Sequence, residues 1–135
     1  MADNLADELI IADTHCDTLI GLMDREMNIF SNKLHADIER MRKYGGYVQF
    51  FAACINPYYG REYAVKRIIR AIDLFYNQVD IYGSFIELCR NSREIYTALR
   101  QKKVAAILAV EGGDVLQGDL SMLRILYRLG ARCMT

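Results

Sequence analysis

Proline occurs once in the 135 residues, at Pro57, and histidine only twice, at His15 and His35. With so little proline, no Gly/Ser-rich stretch, no fixed-period repeat and no low-complexity segment, nothing marks a linker. Residues 1–135 therefore read as one unit. Net charge is also missing: 17 basic residues balance 17 acidic ones. Long-range attraction to nucleic acid or to an anionic membrane has no support in such a chain. No apolar run approaches the ~20 residues that span a bilayer. The opening "MADNLADEL" lacks the basic and apolar regions of a secretion signal, so the expected location is cytoplasmic. The four cysteines, Cys16, Cys54, Cys89 and Cys133, are scattered and form no C-x-x-C pair. They are expected as buried, reduced thiols rather than disulfides or a cysteine-rich metal site. What remains is 53% hydrophobic and 25% charged, an ordinary globular composition.

Strand and helix signals alternate along the chain. Glu8–Asp13 ("ELIIAD"), Tyr47–Ile55 ("YVQFFAACI") and Lys103–Val110 ("KVAAILAV") are apolar runs of strand length, and Ala131–Thr135 begins a fourth. Between them, Ile38, Met41 and Tyr44 are spaced for a short helix that Gly45 ends. From about Glu62 to Leu88, Val65, Ile68, Ile69, Ile72, Phe75 and Val79 repeat at helical spacing. "NSREIYTALRQKK" begins with a capping signal at Ser92 and has a basic end suited to the helix dipole. Asp119–Gly130 is a further periodic segment with a glycine stop. This alternation is the signature of βαβ units and a parallel sheet covered on both faces. Pattern alone leaves a doubly wound sheet and a (β/α)8 barrel both open. No G-x-G-x-x-G or P-loop follows the first strand, which favours the barrel.

Chemistry-bearing residues gather at the strand exits: Asp13, His15 and Asp17, then Asn56, then Glu111 and Asp114. In either architecture that edge binds ligands. In an extended "DTHCD", side chains two apart share a side, with Cα atoms roughly 6.6–6.8 Å apart. His15 and Asp17 would then face the same way as Asp13, with Thr14 and Cys16 turned away. An imidazole and a carboxylate leaning together suit a divalent cation such as Zn²⁺. The alternative is a hydrogen-bonded polar residue at a strand end, with the aspartates capping the next turn. Glu111, before Gly112-Gly113, is either the acidic partner from another strand or a solvated turn residue.

Taken together, "DTHCDTL", "GGYVQFFA" and "AVEGGDVLQGDLSMLRILYRLGARCMT" resemble the renal (membrane) dipeptidase family, peptidase family M19, from Ile11 to Thr135. The resemblance implies an α/β fold: the N-terminal half of a (β/α)8 TIM-type barrel of the metal-dependent hydrolase kind, stopping at about the fourth strand. It implies a zinc-dependent dipeptidase that hydrolyses a dipeptide amide bond with a water activated by two Zn²⁺ ions. His15 and Asp17 match ligands of the first metal. Glu111 matches the carboxylate bridging both metals, and so serves as ligand and catalytic residue. The family accepts D-residues on the C-terminal side and includes members active on β-lactams. Its other ligands, two histidines, come from later strands, and the acid/base aspartate also comes from late in the barrel. His35 matches none of them and reads as a helix-capping or surface residue.

A barrel of this type takes ~250 residues, so 1–135 is expected to be a single partial domain with at most partial metal occupancy and no turnover by itself. Expected partners are a small dipeptide and, in the alternative reading, another copy of the chain. In that alternative the protein is a catalytically incomplete fragment, stabilised by self-association across its exposed face. A single-metal or metal-free binding domain using His15, Asp17 and Glu111 for structure only is a third option.

Overall fold

The computed structural model describes residues 5–25, 27–55, 60 and 63–135. After a short helix α1 (Leu5–Glu8), the elements are β1 (Ile10–Cys16), α2 (Thr18–Arg25), α3 (Ile38–Met41), β2 (Gly46–Ala53) and α4 (Ala64–Ile81). They continue with β3 (Ile86–Leu88), α5 (Ser92–Arg100), β4 (Val104–Val110), a 3-10 turn (Gly113–Leu116), α6 (Leu120–Arg128) and β5 (Ala131–Met134). The five strands make one parallel sheet in the order β1-β2-β4-β3, with β5 also paired to β4.

Three departures from the sequence reading stand out. The helix expected to reach Leu88 stops at Ile81, and the turn after it leads into β3, a three-residue strand. Four strands were expected, and the described residues form five. β3 and β5 share one edge of β4: Ile86–Leu88 pair with Val104–Ala106, and Ala131–Met134 with Leu108–Val110. Along the C-terminal edge the order is therefore β1-β2-β4-β5, and Ala131–Met134 does occupy the fourth place there. β1 also runs three residues beyond the expected Asp13, ending at Cys16.

β4 is buried at all seven positions, because both of its faces are covered. Val104, Ala106, Leu108 and Val110 join the main core with Leu19 and Leu22 of α2, Ile68, Ile72 and Phe75 of α4, and Leu126 of α6. Ala105, which points the other way, packs with Cys89 and with Ala98 and Ile95 of α5. Right-handed crossovers account for this. The path β2-α4-β3 steps outward past β4, and β3-α5-β4 steps back, so α5 must lie on the face opposite α4. Phe51 and Phe75 anchor the main core, both fully buried with ring centroids 5.4 Å apart.

Helix ends carry the caps their sequences call for. Asn91, one residue before the expected Ser92, caps α5: its Oδ1 accepts from the Glu94 amide at 3.0 Å, while Glu94 Oε2 accepts from the Arg90 amide at 2.6 Å. This reciprocal pair satisfies two amides that the first turn leaves open. Asp37 caps α3 in place of His35, which is exposed, as the surface half of its reading expected. The buried Asp37 carboxylate accepts from the Arg40 amide and Nε, each at 2.8 Å, and from the Asn32 amide at 3.2 Å. Burial alone would raise its pKa, but these donors and the Arg40 charge outweigh it and hold the carboxyl below the usual range.

Candidate metal centre

Three donors converge where β1 and β4 end. His15 Nε2 lies 3.3 Å from Asp17 Oδ1 and 3.3 Å from Glu111 Oε2. One nitrogen and two carboxylate oxygens thus fall within 4.8 Å of one another. The side chains are open to solvent, at 43%, 65% and 46% exposure for His15, Asp17 and Glu111.

Local structure explains each placement. Asp17 immediately precedes α2, and its carbonyl accepts the Gly21 amide at 3.3 Å. Its carboxylate therefore stands at the positive end of a helix, where negative charge is favoured. Glu111 follows β4 directly and is tied to the neighbouring strand by its amide, which donates to the Ala53 carbonyl at 3.0 Å. The chain then turns at Gly112, whose φ of +89° suits glycine alone. A Cβ at Gly112 or Gly113 would meet nothing within 4 Å, so conformation rather than crowding explains the first glycine.

Asp13 does not join the group. The β1–β2 register shifts between Asp13 and Cys16, so strict alternation fails there. Asp13 Oδ1 instead accepts the His15 amide at 3.1 Å. Gln49, fully buried, bonds across the irregularity: its Nε2 donates to the carbonyls of Asp13 at 3.3 Å and Phe50 at 3.1 Å. Asn56 lies outside the described residues. Asp114 is in the 3-10 turn and His35 lies beyond Ala36–Asp37, neither of them in the donor group.

The two His15–carboxylate spacings are compatible with a shared cation. Charge-assisted N–H···O⁻ bonds close to ~2.7–2.9 Å, shorter than either 3.3 Å contact. Tetrahedral zinc, with Zn–N and Zn–O of ~2.0–2.2 Å, would hold nitrogen and oxygen about 3.3–3.5 Å apart. Nitrogen and carboxylate oxygen are also donor types that zinc accepts. The residues fit a divalent metal.

Cys54, just beyond β2, is a member of this neighbourhood that the sequence reading assigned to apolar packing. It is half-buried, and its Sγ donates to Asp17 Oδ1 at 3.5 Å. Burial, and then the negative charges and hydrogen bonds of Asp17 and Glu111, push the thiol up to about 12. All four cysteines are free, as expected, but only Cys16 and Cys89 are fully buried. Burial first, then the nearby aspartates, raises Cys16 to about 11, the behaviour of an inert core thiol. Its neighbours gave Cys54 no signal in the sequence; only the strand order, with β2 between β1 and β4, brings it to the donors.

Parallel strands alternating with helices, and a His/Asp/Glu group at their C-terminal edge, define the class: an α/β protein with a candidate metal site in the place where such sheets bind ligands. The chain belongs to the membrane dipeptidase family, peptidase family M19, whose family model matches residues 1–135. A curated relative, Dipeptidase verJ of Clonostachys rogersoniana, is 25% identical over 111 residues, covering 75% of this chain and 29% of that protein. Among solved structures, the metallopeptidase dipeptidase AC of family M19 superposes with a TM-score of 0.80 at 22% identity, over 93% of this chain and 42% of that one. A Rhodobacter sphaeroides metallopeptidase, solved with a phosphinate mimic of the dipeptide L-Ala-D-Ala, gives 0.81 at 19% identity, over 94% and 45%. The chain therefore spans less than half the length of these relatives. Its fold is the N-terminal part of their (β/α)8 barrel. Among the described residues, no helix is long and apolar enough to cross a membrane.

Proposed function

We propose that this chain forms the first half of a zinc-dependent dipeptidase, in which His15, Asp17 and Glu111 hold the metal. The convergence of His15 Nε2 with two carboxylate oxygens, each at 3.3 Å, carries the reading. Membership of a dipeptidase family supplies the substrate class, a short peptide. When bound, zinc would lower the pKa of water toward neutrality and polarise the scissile carbonyl.

The residues of this chain contribute position and charge. The His15 imidazole supplies a nitrogen donor and is held by a strand end rather than a loose loop. Asp17 and Glu111 bring two negative charges that offset the dication. Glu111, with one oxygen toward His15 and its backbone pinned to β2, is the carboxylate suited to bridging a pair of metals. These three cannot complete two coordination shells, and His35 stands elsewhere, so the remaining donors and the proton-transferring group belong to other parts of the barrel. The chain on its own is accordingly expected to bind one equivalent of metal and to turn over no dipeptide. Four free thiols support a reducing, cytoplasmic setting. The 1–135 stretch is read as one partial domain, a reading supported by the single sheet whose strands run from Ile10 to Met134.

Equilibrium dialysis against Zn²⁺ tests the site. About one equivalent should be retained, and His15→Ala should lose it. Retention unchanged in that variant would overturn the assignment, as would hydrolysis of L-Ala-D-Ala by the 135-residue chain alone for the division of the active site.

A further inference from the structure

β1 advances three residues where β2 advances two: Asp13 is level with Gln49, and Cys16 with Phe51. Such an extra residue is a β-bulge, which re-aims the side chains beyond it. Cys16 and Phe51 both belong to the main core, so past the bulge Cys16 faces the helices. His15, one residue earlier, then faces the opposite side, toward Asp17 and Glu111. In an unbroken strand His15 would share the side of Asp13, which lines a cleft with His35, Tyr44 and Tyr47.

Gln49 stands at the bulge, fully buried. Its Nε2 donates to one carbonyl from each strand, Asp13 at 3.3 Å and Phe50 at 3.1 Å. Among the described residues its Oε1 has no hydrogen-bond partner. An open buried acceptor costs stability, so the side chain serves through what Nε2 holds. We propose that Gln49 is a positioning residue for His15: its side-chain amide fixes the bulge in β1 that turns the imidazole toward Asp17 and Glu111. An amide nitrogen carries two protons and can serve two carbonyls. Methionine fills similar space with no donor, and asparagine ends one methylene short. Without the donor, β1 is free to take the regular register, and a slip of one residue carries His15 to the core side.

The functional consequence rests on the metal-centre reading, and the experiment separates the two. The 135-residue chain and its Gln49→Met, Gln49→Asn and His15→Ala variants are compared by NMR without metal and by Zn²⁺ titration against a chelator. In the metal-free wild-type chain, His15 ring protons should show NOEs to the Glu111 side chain, and both Gln49 variants should lose them. Zinc affinity should fall about 10–100-fold in those variants, the range for residues that orient a ligand. Ring contacts and zinc affinity that stay as in the wild type, with only the melting temperature moved, would make Gln49 a packing residue and overturn the role. If the variants fail to fold, the wild-type chain still decides. Its Gln49 side-chain amide protons should exchange at least about a hundredfold more slowly than those of the exposed Gln101; equal rates overturn the proposal. No zinc binding by the wild-type chain, or binding indifferent to His15→Ala, removes the metal centre alone, and the ring contacts still judge Gln49.

Discussion

Replacing Glu111 by Gln should change stability in opposite directions with and without metal. Asp17 and Glu111 oxygens lie within 4.8 Å of each other. At that separation two unit negative charges repel by about 0.9 kcal/mol at the dielectric of water. The side chains are 65% and 46% exposed, so screening keeps the repulsion near this lower figure. In EDTA at pH 8, Glu111→Gln should therefore match the wild-type chain or exceed it by up to about 1 kcal/mol, a rise of no more than about 5 °C in Tm. With zinc at a hundredfold excess over its Kd, the wild-type chain should gain about 2.7 kcal/mol, roughly 8–14 °C at this chain length. The variant, missing one donor, should gain little. Thermal melts followed by circular dichroism, with EDTA and with graded zinc, give both numbers. A metal-free variant destabilised by more than about 1 kcal/mol would mean the carboxylate holds the fold together. A variant that keeps the full zinc-dependent rise would mean Glu111 is no ligand.

Three further outcomes follow from caps and turns. The depressed pKa of Asp37 means its contribution is present above the unfolded carboxyl value of ~3.9 and lost as pH falls through the lower folded value; acid denaturation of Asp37→Asn should lack that limb, and an unchanged acid profile would refute the role. Gly112→Ala forces a side chain into φ +89° and should cost about 1–3 kcal/mol in urea unfolding, with weaker zinc binding as Glu111 shifts. Asn91→Ala removes the α5 cap and should cost about 1 kcal/mol, read from the same denaturation curves; a loss under 0.3 kcal/mol, an order of magnitude set by ordinary surface substitutions, would show that Glu94 suffices.

The readable parts of the molecule were those where one element meets one pattern. β4 is apolar throughout because it is covered on both faces, and its sequence shows this directly. His15, Asp17 and Glu111 were legible because polar residues at the ends of apolar strands are conspicuous. β3 was not, since three residues are too short for a period of two and follow an 18-residue helix with only a brief turn between. Asp13 looked like a partner of His15 until the register shift turned it aside, and irregularities of pairing leave no periodic trace. Gln49 was visible as a polar residue within an apolar strand, yet its task of bridging that shift depends on the neighbouring strand. Cys54 reads in the sequence as one more buried thiol, because its contact with Asp17 comes from β1, which is distant in sequence.

The placement of α5 has a consequence for traffic. It packs beneath β4 at Ala105, on the face opposite α2, α4 and α6. The N-terminal end of that face is therefore floored by a helix, whereas the donors stand at the other end, open to water. A molecule approaching His15, Asp17 and Glu111 along the length of β4 on that face would meet α5 before it reached them, so the exposed strand ends are the direct approach.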